Sequence, residues 1–93
     1  MIPEDFQWDP AKARANLLKH GVDFADAVIA IEDPHSRHMP DPDAEGEARF
    51  VALGMDGLGR ILLVVYAYGD ETIRIISARR ASRNERAQYE KYI

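Results

Sequence analysis

Apolar residues recur along this chain with two different periods, and the change between them divides it. Phe24, Ala27, Val28 and Ile31 fall at the i, i+3, i+4, i+7 spacing of one helix face. That spacing predicts a helix over Phe24–Glu32, begun at Asp23 and ended by Pro34, because a residue before proline leaves the helical region. An earlier helix, Pro10–His20, is marked by its ends: Asp9 as cap, Pro10 in the first turn, and Gly21 as the left-handed residue that stops it. At about 100° per residue, Lys12, Asn16 and Lys19 share an arc of about 60° and read as a polar, basic stripe. Ala11, Ala15 and Leu18 cover a different arc, expected to face the core.

From residue 49 the pattern becomes that of strands. Arg49–Met55 is a short apolar run closed by Asp56-Gly57-Leu58-Gly59, a turn signal of the Asp-Gly kind. Ile61–Tyr68 is continuously apolar and rich in β-branched residues, as expected of a central strand covered on both faces. Gly69-Asp70 makes the next turn, and Thr72–Arg80 is the third strand of the meander. Strict alternation there would send Ile73, Ile75, Ser77 and Arg79 to one face and Arg74, Ile76, Ala78 and Arg80 to the other. A short strand at Arg37–Pro40 is a possible extra edge. The last helix opens on Ser82-Arg83-Asn84-Glu85, a capping box in which Ser82 and Glu85 satisfy each other's free backbone N–H groups. The expected architecture is a single α+β domain over 1–93: two N-terminal helices, a three- or four-stranded antiparallel sheet, and a C-terminal helix.

Composition narrows the class. With 46% hydrophobic and 30% charged residues the chain is globular, and 93 residues suffice for one modest core that a partner often helps to stabilise. There are no cysteines, which rules out disulfides and thiolate metal sites. The longest apolar run is far too short to cross a bilayer, and Met1-Ile2-Pro3-Glu4-Asp5 carries acid where a signal peptide carries base. A cytoplasmic location is expected. His35 and His38 stand at i, i+3 in a Pro-rich loop, but no carboxylate or cysteine is clearly placed to complete a metal site, so neither metal nor cofactor is expected.

The charge is sorted. The net charge is −4, and residues 23–48 hold Asp23, Asp26, Glu32, Asp33, Asp41, Asp43, Glu45 and Glu47 against Arg37 alone. Arg74, Arg79, Arg80, Arg83 and Arg86 then fall within thirteen residues, with Glu85 the only acid among them. A localized cationic edge on an acidic protein suits a localized polyanion; solvation of a strand end and a helix face is the plainer alternative. Arg83 lies in the first helical turn, where the helix dipole disfavours a cation, which hints at a role outside the helix.

At this point the chain resembles the BrnT family, the toxin halves of bacterial type II toxin–antitoxin pairs. The residues that carry the resemblance are Phe6-Gln7-Trp8-Asp9, Lys12, Asn16, Lys19-His20-Gly21-Val22 and Phe24, then Glu47, Arg49 and Gly54, then Ile73 through Ala81, and finally Arg83, Glu85, Arg86 and Tyr89. It spans nearly the whole chain in order. Arg80 stands where a lysine is frequent, and Ala48 where a polar residue is expected. The resemblance implies a RelE-like fold and a ribonuclease that halts translation. It also implies neutralisation by a ribbon-helix-helix antitoxin of the BrnA kind, through which operator DNA is reached.

Metal-free cleavage by the 2′-hydroxyl needs a base, an acid, and cations for the charge that grows on phosphate. Arginine offers a fixed fork that matches phosphate and never deprotonates. Arg79 and Arg83, on either side of the strand–helix junction, are the expected phosphate clamp, and Arg74, Arg80 and Arg86 are further RNA contacts. His20, Lys19, Glu85 and Tyr89 are the candidates for proton transfer, with Tyr89 also able to contact RNA. For His20 the alternative is a favourable place at a helix C-terminus, and for Glu85 it is the capping role. Lys12 and Lys19 either meet RNA or solvate their face. Trp8 either stacks on a base or fills the core. A second class of function stays open, a non-catalytic module whose arginine edge docks an acidic protein. Direct operator binding is weaker, since the chain is acidic and shows no helix-turn-helix pattern.

Overall fold

The computed structural model describes residues 5–44 and 48–91, so the acidic loop is seen only in part, and Glu47, Glu45 and the first four residues lie outside it. The elements run β1 (Phe6–Gln7), α1 (Pro10–His20), α2 (Phe24–Glu32), β2 (Arg37–Pro40), β3 (Arg49–Met55), β4 (Ile61–Gly69), β5 (Thr72–Arg80) and α3 (Arg83–Glu90). The class is the α+β one expected, with one strand more. The sheet has five strands in the order β1-β5-β4-β3-β2, and all neighbours are antiparallel except β1 and β5. The added strand, β1, is only two residues long, too short to show a period, and pairs Phe6 with Ile73 and Gln7 with Arg74.

Local chemistry builds the helices where it was expected to. Asp9 accepts from the Ala11 N–H and Asp23 from the Ala25 N–H, both at 2.9 Å, and Gly21 adopts φ 70° to end α1. The α2 stripe is buried in full: Phe24, Ala27, Val28 and Ile31 all face the sheet, together with Ala30. Where α2 crosses β3, a side chain on Gly54 would place its Cβ 1.9 Å from the Ala30 carbonyl oxygen, so only glycine permits this approach.

For α1 the expected orientation is overturned. Leu18 is 83% exposed, and Ala11 and Ala15 are also exposed, while the sheet-facing side is made by Ala13, Asn16 and His20. The reason is Asn16. Its amide donates to the carbonyls of Val22 (3.0 Å) and Ala78 (2.8 Å), and its oxygen accepts from the Ala78 N–H at 3.0 Å. The side chain thus continues, beyond the short β1, the hydrogen bonding that the edge of β5 needs. A polar residue so fully satisfied is stable inside, and hydrophobic periodicity alone does not foresee it.

A second correction concerns β5. Val65 pairs with Ser77 and Tyr66 with Ile75, so Ile76 is an extra residue, a bulge that resets the alternation. Ile73, Ile75, Ala78 and Arg80 therefore lie opposite the helix-facing residues of β4, while Arg74, Ser77 and Arg79 share the other face. Arg79 and Arg80 remain on opposite faces, as expected, but Arg74 and Arg79 come to the same one.

The helix-covered face holds the main core, in which Leu62, Val64 and Tyr66 of β4 meet α2. The other face is only partly covered, contrary to the expectation for Ile61–Tyr68. There α3 lays Tyr89 over Leu53 and Ile61, beside Leu63 and Ala81. The rest of that face stays open as a groove of about 480 Å³ over Val51, Leu63 and Val65, flanked by Met39 and Asp41 on one side and by Arg79, Glu85 and Gln88 on the other.

Two polar anchors tie the layers together. Buried Asp56 accepts from the Leu58 and Arg60 N–H groups and from Arg60 Nε (2.8 Å); the same guanidinium reaches the Gly21 carbonyl and Asp26, each at 3.2 Å. The β3–β4 turn is thereby locked to the ends of α1 and α2. At the other anchor, Asp33 accepts from the Met55 N–H and from the Tyr89 hydroxyl, joining the end of α2, the end of β3 and α3.

Candidate active site

The end of β5 runs into α3 through Ala81 and Ser82. The capping box forms as expected: the Glu85 N–H donates to Ser82 Oγ at 3.2 Å, and the Ser82 N–H donates to Glu85 Oε1 at 2.8 Å. Glu85 does more than cap. Both its oxygens receive the Arg79 guanidinium, Nη1 at 2.8 Å and Nη2 at 2.9 Å, and Nη1 also donates to the Arg80 carbonyl at 3.1 Å. The pair is half-open to solvent, with Arg79 at 40% and Glu85 at 25% side-chain exposure.

This arrangement sets the proton chemistry. The Arg79 guanidinium first, and then the Ser82 N–H, outweigh burial and hold Glu85 down to about 2, while Glu85 raises Arg79 further above its already high value. A carboxylate so strongly held is a poor proton acceptor near neutral pH. Tyr89 is unsuited in the opposite sense. It is 2% exposed, and burial, followed by its bond to Asp33, pushes its hydroxyl up to about 12. Its ring is part of the core beneath α3, away from the surface where a contact with RNA was expected. Burial alone would raise Asp33, but hydrogen bonds from Tyr89, His35 and Met55 bring it below the usual carboxylate range.

The remaining candidates divide by place. Arg83 is exposed in the first turn of α3, four residues from Arg79 and on the far side of the junction. Arg80 and Arg86 border a second hollow with Arg60 and Tyr89, and Arg86 makes a loose exposed pair with Glu90 at 3.4 Å. The bond from Arg60 to Gly21 brings the C-terminus of α1 to this same end, so Lys19, which is exposed, and His20, which is half-buried, stand near the Arg80 side of β5. Arg74 lies on the open face with Arg79 but about 15 Å away along the strand, at about 3.3 Å per residue. Lys12 is exposed near the start of α1. Trp8 is half-buried and meets Phe24 edge to face at 6.0 Å, the core-filling alternative. His38 has both ring nitrogens engaged, by Tyr66 and Ser36, and among the described residues no group of three His, Cys, Asp or Glu side chains can hold a metal ion. Among the described residues, no helix is long and apolar enough to cross a membrane.

Sequence reading missed Arg60 and Asp33, whose partners lie on other elements. In the sequence Asp33 shows only as one of the acids of residues 23–48 and as the residue ahead of Pro34.

Comparison with known proteins closes the question of kinship. The profile of the family described as "Ribonuclease toxin, BrnT, of type II toxin-antitoxin system" matches residues 8–85, from the α1 entry through the capping box. The crystal structure of the Brucella abortus ribonuclease toxin BrnT superposes with a TM-score of 0.65 at 30% identity, covering 84% of this chain and 96% of that one. No curated protein matches the sequence. This chain, with its arginine-lined strand–helix junction, belongs to the BrnT family of ribonuclease toxins of type II toxin–antitoxin systems.

Proposed function

We propose that the protein is a metal-independent endoribonuclease that cuts RNA at the β5–α3 junction and thereby halts translation in the cytoplasm. The observation that carries this reading is the Arg79 guanidinium, held in a fixed plane by Glu85 at the rim of the open groove, with Arg83 exposed in the first turn of the helix that follows. Arg79 and Arg83 clamp the scissile phosphate and stabilise the charge that develops on it. Arg80, Arg86 and Lys12 add longer-range attraction for the backbone, and Arg74 receives RNA that continues along the open face. Glu85 is held ionised and Tyr89 protonated and buried, which leaves His20 and Lys19 for proton transfer. Both lie on the Arg80 side of β5, so the substrate bends round the strand end to meet them.

The antitoxin is a ribbon-helix-helix protein that covers this edge and links the toxin to operator DNA. Complementary charge makes its association slow as salt rises. The test is cleavage of RNA by purified protein in EDTA, with and without Arg79→Ala. Metal-free cleavage that the substitution removes supports the reading. Cleavage that needs a divalent ion overturns the mechanism. No cleavage at all, with toxicity retained, favours a binding module instead.

A further inference from the structure

The guanidinium of Arg79 has five N–H donors, and their use is uneven. Both hydrogens on Nη1 are engaged, one by Glu85 Oε1 and one by the Arg80 carbonyl, and one hydrogen on Nη2 goes to Glu85 Oε2. Among the described residues nothing accepts from Nε or from the second hydrogen on Nη2. Those two donors lie side by side on one edge of the planar group, parallel and correctly spaced for two oxygens of a single phosphate. Rotation of the plane would break the two-point contact with Glu85, and Glu85 is itself fixed by the Ser82 N–H at 2.8 Å. The fork is therefore aimed before any ligand arrives.

We infer that Glu85 is a positioning residue: it orients Arg79 so that the Nε–Nη2 edge receives a phosphodiester, and the capping box of α3 is what holds Glu85 to that task. This rests on the reading of Arg79 as the phosphate clamp. It explains why a carboxylate sits within the arginine cluster, where it would otherwise weaken attraction for RNA. Glu85 lowers the net charge of the site but fixes the direction of the donors, and fixed donors favour the transition state over the bound substrate.

The experiment compares Glu85→Gln, Arg79→Ala and the double variant in single-turnover RNA cleavage, with thermal melting of each. Glutamine keeps an acceptor for the Ser82 N–H but loses the charge and the symmetric two-oxygen contact. The expected result is a fold close to wild type, a maximal rate lowered about 10- to 100-fold, and half-saturation by RNA unchanged or at lower concentration, since Arg79 has lost its counter-charge. Glu85→Asp, too short to span the same contacts, should not restore the rate. The double variant should be no slower than Arg79→Ala alone. In NMR of the arginine side chains, the Arg79 Nε–H signal should shift when a non-cleavable 2′-deoxy oligonucleotide is added to the wild type, and should broaden in Glu85→Gln. An unchanged rate in Glu85→Gln, with Arg79→Ala inactive, overturns the positioning role and leaves the clamp standing. Additive losses in the double variant overturn it too, because Glu85 would then act on its own. Full activity of Arg79→Ala removes the clamp itself, and the inference with it.

Discussion

Arg60 and Arg79 each hold a carboxylate, and they are held in opposite ways. Arg60 is 17% exposed and joins Asp56, whose side chain is wholly buried, as well as Asp26 and a backbone carbonyl on a third element. Its contacts are turned inward, to a turn and two helix ends. Arg79 is 40% exposed, and its contacts lie within one short stretch, residues 80 to 85. One arginine is consumed by the architecture, and the other is steadied by its neighbours with an edge left over. Charge, residue type and the number of hydrogen bonds donated, three from each, are the same in both; what separates them is that Arg60 spends them through all three nitrogens on partners that bury it, while Arg79 spends them through Nη1 and Nη2 alone and keeps its Nε edge.

The contrast can be broken by substitution. The largest effect is expected at Arg79, where replacement by alanine should lower RNA cleavage about 10²- to 10³-fold while thermal melting falls only modestly, because the ion pair it breaks is half-exposed. Retained cleavage would erase the distinction between the two arginines. Arg60→Ala should do the reverse. It leaves Asp56 charged and buried without its partner, a loss of about 3 kcal/mol in urea unfolding, and cleavage per folded molecule should not change.

A finer test uses pH. Glu85 falls from an ordinary value near 4.5 in the unfolded chain to about 2 in the folded one. A depressed carboxylate stabilises the fold above its unfolded value, and that contribution disappears as pH falls from about 4.5 toward 2. Allowing for solvent around both side chains, wild type should lose roughly 1 to 2 kcal/mol more across this window than Glu85→Gln does. Parallel acid titrations of stability would show the pair to be weaker than its geometry suggests. The smallest effect is expected for Ser82→Ala, about 1 kcal/mol, and its loss should not add to that of Glu85→Ala, since both open one capping box.

The readable parts of the sequence were those decided by close neighbours. Asp9, Asp23, Ser82 and Glu85 cap helices through residues two or three positions away, and each was found doing so. Arg79 and Arg80 fall on opposite faces because adjacent strand residues alternate whatever happens upstream. What failed depended on distant partners. Asn16 is buried because a strand 62 residues later accepts it, and that cost Ala11, Ala15 and Leu18 their expected place in the core. The bulge at Ile76, which puts Arg74 on the face of Arg79, leaves no mark in a run of alternating residues. Of the site, the arginines and the capping glutamate were legible as residues, but the bond between Arg79 and Glu85 was not, because each already had a sufficient separate role.

The attachment of α3 has a consequence for any shortened form of the chain. Tyr89 fastens this helix to Asp33, near the start of the sheet, and covers Leu53 and Ile61. A chain cut after β5 keeps Arg74, Arg79 and Arg80 but lacks Arg83 and Glu85. The arginines are then present without their aim. Glu85 comes only with α3, so a product cut after β5 keeps the cations but loses the carboxylate that fixes the Arg79 plane.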